Sequence, residues 1–334
     1  MARIADQPAG LPMNVTSHDS SPSTNANAGG ADSQVALLRG LIDYAGLFPP
    51  ASLGMVDAVA NYGAYLRSPY RWMLGRFVVP VARLAEFEDA VRLLPQGQIE
   101  SRWHVSALPG ADLAVDLAAI RECEGRFAVS LPSKQVSIAS IEVKIASAKE
   151  VEQYSKLIPA QLETYFEIPW TADAGPREML DCIAAVAHCG RRAKLRTGGE
   201  TADKFPSPER VVEFMRLCAA SNVAFKATAG LHHPVRSRHP FTYQPGSPSG
   251  IMHGFLNVFL AAAFLRAGMD ARMAVELLNE ASTAAFHFDS YGVLWRQHRL
   301  GLADISTTRR DLAISFGSCS FTEPVDDLRA LGLL

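Results

Sequence analysis

The 334-residue chain lacks most of the marks of a secreted, membrane or nucleic-acid-binding protein. Its five cysteines (Cys123, Cys182, Cys189, Cys218, Cys319) are odd in number and widely spaced, with no C-x-x-C pair. That argues against a disulfide framework or a structural zinc site and fits a reducing, cytoplasmic compartment. Neither sign of charge dominates: 32 Lys+Arg against 34 Asp+Glu leave a net −2. There is thus no basic footprint for nucleic acid or an anionic membrane. The longest apolar run, residues 250–265, includes His253 and Asn257 and is short of the ~20 residues of a membrane span; it reads as a buried helix. No G-x-G-x-x-G follows the first strand-like run and no G-x-x-x-x-G-K-[ST] occurs, which speaks against Rossmann and P-loop architectures. The first residues are rich in Ser, Asn, Ala, Gly and Pro and lack the apolar stretch of a signal peptide. Residues 1–35 are expected to form a disordered tail and 36–334 a single domain.

What is present is a repeating pattern. Hydrophobic residues make up 48% and charged residues 20%, an ordinary globular balance. Eight short β-rich runs (41–48, 76–81, 101–108, 140–145, 163–169, 193–198, 224–230 and 312–319) alternate with helical segments. Asp173 before Pro176 and Ser207 before Pro208 read as helix caps with proline in the first turn. Thr322 is expected to cap the last helix. Strand–helix alternation implies a parallel sheet with right-handed crossovers. Eight strands in one chain favour an α/β fold, a closed (β/α)8 TIM barrel, over a doubly wound open sheet. The connection between the seventh and eighth strands, about 231–311, is too long for one helix. It predicts a long helical insertion with helices over 251–267 and 271–285.

The informative residues are charges within strands. Strand side chains alternate between two faces, and the helix-facing side of a barrel strand should be apolar. In the fourth run Ile141, Val143 and Ile145 form that side, so Glu142 and Lys144 point inward. The same reading turns Tyr165 and Glu167, Lys194 and Arg196, Lys226 and Thr228, and His104 and Ser106 inward. Buried charges cost several kcal/mol each unless paired. An interior ion-pair network is one explanation; a site for a small anionic or carbonyl-bearing molecule is the other. An excess of cations (Lys144, Lys194, Arg196, Lys226) over carboxylates (Glu142, Glu167) favours the second. Asp43, at the end of the first run, either faces the site or caps the next segment.

A neutral lysine can attack a carbonyl and form a Schiff base, and burial or a neighbouring cation depresses its pKa. Lys194 and Lys226, on consecutive strands, are expected to deprotonate each other, with Glu142 or Glu167 moving protons. At this point the sequence resembles a known family. Ala193-Lys194-Leu195-Arg196-Thr197-Gly198-Gly199 is similar to the strand-six lysine motif of deoxyribose-phosphate aldolases, Phe225-Lys226-Ala227-Thr228-Ala229-Gly230 to their strand-seven motif, and Phe316-Gly317-Ser318-Cys319-Ser320 to their strand-eight motif. Glu142 stands where that family carries a strand-four aspartate. The resemblance implies a class I aldolase barrel in which Lys194 forms the Schiff base, Lys226 lowers its pKa and Glu142 belongs to the proton relay. Arg196 departs from the family's small polar residue, and Glu323, Asp326 and Asp327 at the last helix disfavour a phosphate there. A related but distinct lyase, with no cofactor and no metal, is therefore expected.

Glu167 joins the catalytic set, and Lys144, Arg196, Thr228, His232, His233 and Ser318 are the expected substrate-binding residues. The Ser318 loop offers backbone N–H groups to an anion. His232 and His233, with His239 and His253 downstream, either line the site mouth or stabilise the loop. Two other classes stay open: a metal-dependent barrel hydrolase or isomerase built on Glu142, Glu167 and histidines, and a non-catalytic anion-binding barrel. The expected partner is a small anionic carbonyl compound, with no nucleic acid and no membrane. Barrels of this kind often associate, which leaves a homo-oligomer open. Arg309 and Arg310, before the last strand, are expected on the surface opposite the site.

Overall fold

In the computed structural model of the chain, the described residues are 32–95, 102–130, 136–169 and 176–334. Most of the expected tail, Ser101 of the third run and Asp173 ahead of Pro176 lie outside them. The chain is a closed (β/α)8 barrel. Eight parallel strands are hydrogen-bonded in the cyclic order β1-β13-β7-β6-β5-β4-β3-β2. Their ranges are β1 Ile42–Tyr44, β2 Leu74–Pro80, β3 Trp103–Leu108, β4 Val136–Lys144, β5 Glu163–Glu167, β6 Arg192–Arg196, β7 Phe225–Thr228 and β13 Ala313–Ser318. Each coincides with one of the eight runs that alternation picked out. Helix α1 (Asp32–Leu38) precedes them, and α2 (Met55–Leu66), α3 (Leu84–Arg92), α4 (Leu113–Ser130), α5 (Ala148–Leu157), α6 (Pro176–His188) and α7 (Pro208–Ala220) fill the first six crossovers.

Local chemistry explains the helix ends. Ser207 caps α7, its hydroxyl accepting the Arg210 N–H with Pro208 in the first turn, as expected. The last helix, α11 (Thr322–Ala330), is fastened differently: Ser320 Oγ, not Thr322, accepts the Glu323 N–H at 3.1 Å. Each strand's outward face, such as Ile141/Val143 and Phe166/Ile168, is buried against the helices, and this annular layer is the main apolar core.

The connection from β7 to β13 carries helices and, beyond what was expected, five short strands. The β8–β9 hairpin (Ser237–Pro240 and Ser249–Met252) comes first, then α8 (Phe255–Arg266) and α9 (Ala271–Leu278). A three-stranded antiparallel sheet follows (β10 Phe286–Asp289, β11 Gly292–Trp295, β12 His298–Gly301), and α10 (Leu302–Asp311) leads into β13. The helix expected from 251 thus starts at Phe255, because Ile251 and Met252 are taken up in β9, paired with Arg238 and Ser237. The helix expected to reach 285 stops at Leu278. Helix α8 is apolar all round and almost wholly buried, the pattern of an interior helix. Its Asn257 is fully partnered: Nδ2 donates to Leu277 O and Glu280 O, and Oδ1 accepts the Arg236 N–H. Among the described residues no helix is long and apolar enough to cross a membrane.

Arg310 is exposed and paired with Asp311, but Arg309 is not the surface residue expected. Its guanidinium donates to Leu37 O (2.7 Å), Arg39 O (3.0 Å), Ala313 O and Ile314 O. The planar guanidinium fork thus ties the end of α1 and the turn after it to the start of β13.

Candidate active site

The inward face of the barrel carries the charges read from the alternation, in register. Lys144 pairs with Glu167, Glu167 with Lys194 and Lys194 with Lys226 across β4, β5, β6 and β7. One level up, Arg196 is opposite Thr228. At the amino-terminal level Arg76 binds Glu163 at 2.6 Å, and Arg192 reaches Glu163 at 3.2 Å and Tyr165 Oη at 3.0 Å. This lower layer, with the buried Tyr165 ring under Lys226, closes the barrel floor.

Above it runs an alternating chain of charges. Asp43 Oδ2 accepts from Lys226 Nζ at 2.6 Å, and Lys226 Nζ also donates to Glu142 Oε1 at 2.6 Å. Glu142 Oε2 meets Lys194 Nζ at 2.8 Å, and Lys194 Nζ meets Glu167 Oε2 at 2.8 Å. Arg196 ends the chain, 3.8 Å from Glu167 Oε1. Buried hydroxyls complete the carboxylates: Ser106 Oγ donates to Glu142 Oε1 and Ser315 Oγ to Asp43 Oδ2, both at 2.7 Å. Asp43 Oδ1 accepts the Arg76 N–H at 2.7 Å. Asp43 therefore faces the interior and does not cap the next segment.

This geometry reverses one expectation. Within this chain of charges the excess of cations disappears once Asp43 is counted and Lys144, exposed at the rim, is left out. Burial on its own would push both ammonium groups down, but Glu142 and Glu167 more than reverse it for Lys194, and Asp43 and Glu142 do so for Lys226. Both lysines are held above their ordinary range, and do not deprotonate each other. Burial would likewise raise the Glu142 carboxyl, yet Lys194 and Lys226 hold it far below the carboxylate range, and Glu167 is lowered in the same way.

A cavity of about 210 Å³ opens over this chain at the carboxyl ends of the strands, where barrel enzymes carry their sites. Of the residues read from the sequence, Glu142, Lys144, Glu167, Lys194, Arg196, Lys226, Thr228 and His232 line it. His233 and Ser318 do not. His233 turns to Asp327 (Nδ1 to Oδ2, 2.6 Å) and stacks on His239, and the buried Ser318 hydroxyl accepts the Ser320 N–H at 3.4 Å. Lys194 is 5% exposed and Lys226 1%, so Lys194 is the more accessible of the two buried amines. Arg196 Nε donates to Gly198 O at 3.0 Å, which fixes the guanidinium plane at the cavity wall.

Two glycines bring the loops after β6 and β7 together. A Cβ on Gly198 would stand 2.7 Å from Gly230 Cα, and Gly230 itself has φ +73°. Thr197 binds the same junction, its N–H and Oγ donating to Thr228 O (2.8 and 3.1 Å) and Oγ to Ala229 O (2.6 Å). Sequence reading missed Tyr243 and Phe241, which follow strand β8. Phe241 and Met252, from the β8–β9 hairpin, line the cavity, so the hairpin roofs the site. Tyr243 Oη donates to Glu323 Oε2 at 2.9 Å, and Glu323 also holds His232 Nδ1 at 3.2 Å. His253 serves structure: burial drives its pKa down to about 4, and its ring binds Pro206 O at 2.8 Å. Among the described residues no three His, Cys, Asp or Glu side chains converge as a metal site.

The fold and the cavity define a (β/α)8 barrel with a buried, charge-alternating site at its carboxyl-terminal face. No protein-family model matches the chain, and no curated protein matches it. Among solved structures it is similar to the tetrameric deoxyribose phosphate aldolase from Aeropyrum pernix, at 13% identity and a TM-score of 0.39, over 61% of this chain and 86% of that one. A likeness at that level carries no argument about chemistry, which has to come from the site.

Proposed function

We propose that the chain is a Schiff-base-forming, aldolase-like lyase acting on a small anionic carbonyl compound, with Lys194 as the amine. One observation carries the reading: Lys194 Nζ lies at the cavity floor between two carboxylate oxygens, each 2.8 Å away. An ammonium so placed has a proton acceptor on either side. Handing one proton to Glu167 or Glu142 frees the amine to attack a carbonyl carbon, and the same carboxylate returns the proton to the carbinolamine hydroxyl as water leaves. The product is a cationic iminium, and the carboxylates that raised the lysine's pKa stabilise that cation equally. The carboxylates thus act as proton carriers and not by depressing the lysine's pKa as a second lysine would, while Lys226 neutralises and positions Glu142 from behind.

The iminium is an electron sink for the adjacent carbon–carbon bond. Its cleavage leaves an enamine on Lys194 and releases an aldehyde; the reverse forms the bond. Arg196 and Lys144 at the rim supply the positive charge for the anionic group, the guanidinium offering a planar fork suited to a carboxylate or phosphate oxygen pair. An exclusively structural network would not need its end aimed into an open cavity.

The test is incubation with small aldehydes and oxoacids, reduction by borohydride and mapping of modified lysines by mass spectrometry. A stable adduct on Lys194 that is lost in Lys194→Arg is expected. Labelling of Lys194 no stronger than in denatured protein would sink the proposal.

A further inference from the structure

The Schiff-base chain accounts for one half of an aldol reaction, the half bonded to Lys194. The other half creates or consumes a hydroxyl, whose oxygen needs its own proton donor and acceptor. On the wall formed by the segments after β7 and β13, His232 lines the same cavity as Lys194. Its Nδ1 is engaged by Glu323 Oε2 at 3.2 Å, with Cys319 Sγ at 3.9 Å. Tyr243 Oη steadies the same Glu323 oxygen from the roofing hairpin at 2.9 Å. The Glu323 and Cys319 contacts both fall on Nδ1, and the residue is only 8% exposed. A carboxylate that holds one nitrogen of an imidazole lining a cavity is the arrangement of a proton-transfer histidine.

We propose that His232, oriented by Glu323, is the acid–base residue for the second carbonyl oxygen of the reaction. The inference rests on the Schiff-base reading of Lys194. In the addition direction the enamine carbon attacks the acceptor's carbonyl carbon and a carbon–carbon bond forms. The carbonyl π pair moves to oxygen, which takes the proton from His232 Nε2; the iminium re-forms on Lys194 and water hydrolyses it. Cleavage runs the same steps backwards, with neutral His232 accepting the hydroxyl proton.

The groups facing His232 are Cys319 after β13, Glu323 and the more distant Asp327 on α11, Tyr243 from the hairpin, and His233, which stacks on His239. Burial lowers the imidazolium pKa, but Cys319 and Glu323 outweigh it and raise it to about 9. The acid form thus prevails at neutral pH. Addition should fall as pH rises through about 9, and cleavage should climb towards it.

The experiment uses the full chain with pyruvate as donor and glycolaldehyde as acceptor. Deuterium wash-in to the pyruvate methyl group reports the imine and enamine on Lys194, and carbon–carbon bond formation reports the second half. His232→Gln is expected to lower bond formation by about 10²–10⁴-fold, the usual span for a general acid, while wash-in falls less than about tenfold. Glu323→Gln keeps the imidazole and should move the alkaline limb of bond formation to lower pH. Equal losses in both readouts, or an alkaline limb that stays in place in Glu323→Gln, would overturn the assignment and leave His232 a structural tie. No wash-in and no borohydride adduct in the wild-type chain would remove the Schiff-base reading and this inference with it. Wash-in without bond formation would remove this inference alone.

Discussion

Replacing Glu142 by Gln tests the charge chain at its centre. Glu142 is 2% exposed and touches both lysines. With Asp43, Glu142 and Glu167 set against Lys226, Lys194 and Arg196, the chain is neutral. The substitution leaves one unmatched positive charge inside the barrel. Each lysine contact is worth about 4 kcal/mol or more at an effective dielectric near 20, partly offset by the desolvation that Gln no longer incurs. Breaking a buried pair by removing one partner typically costs about 3–5 kcal/mol, a large share of the ~5–15 kcal/mol that holds a domain folded. The pH dependence gives a second reading. In the wild type both lysines have raised pKa values, so their contribution is complete below about pH 10 and is lost only as pH rises through the folded-state values. In Glu142→Gln one of them sheds its proton in the folded state earlier than in the unfolded chain. From that pH upward the variant regains about 1.4 kcal/mol per pH unit relative to wild type. Chemical denaturation followed by circular dichroism at pH 7 and 9.5 measures both effects. A loss below about 1 kcal/mol at pH 7, or a deficit identical at the two pH values, would refute the charge-chain account.

Three further outcomes follow from the same geometry. Arg196→Gln should raise KM for pyruvate in the Lys194 reaction about 10–100-fold, matching the loss of a charged hydrogen bond of about 1.5–3 kcal/mol, with little effect on a neutral aldehyde; steady-state kinetics on both decides it. Gly198→Ala forces a Cβ to within 2.7 Å of Gly230 Cα and 2.6 Å of the Phe205 ring. It should cost about 1–3 kcal/mol of overpacking, seen in the denaturation midpoint, and reduce Lys194 labelling by prising the two loops apart. Arg309→Ala should destabilise the fold by about 3 kcal/mol, since several carbonyls lose their donor at once, while Lys194 in the folded fraction still labels.

The barrel strands were legible because their outward faces are uninterrupted apolar rows. A charge set between them, as in Ile141-Glu142-Val143, has only the interior to face. Asp43 was not legible on that basis: β1 is three residues long and buried throughout, too short for a period of two to assign a face. That ambiguity bears on the sign of the shift at Lys226 alone; at Lys194 the two carboxylates were already placed inward, and what the sequence did not show is that each approaches the ammonium to 2.8 Å. The sheet over 286–301 did leave a trace, Phe286 and Phe288 alternating with polar residues before the Asp289-Ser290-Tyr291-Gly292 turn, but an apolar helix nearby dominated the reading. The roles of Tyr243 and Glu323 lie 80 residues apart in sequence, and only the folded hairpin brings them together. Arg309 could not be told from Arg310 by sequence, since its role depends on carbonyls supplied by α1 and β13.

The separation of Asp43 from its partners bears on how the site comes into being during synthesis. Lys226 lies 183 residues downstream of it and Ser315 lies 272, and β1 joins β13 only when the last strand arrives. Until the ribosome has released that strand, the barrel has two open edges and Asp43 lacks its Ser315 hydroxyl. A chain cut short before Ala313 cannot close the ring, and it leaves the innermost lysine facing a half-built counterion. Completion of the charge chain around Asp43 and closure of the fold are therefore one event, brought about by β13.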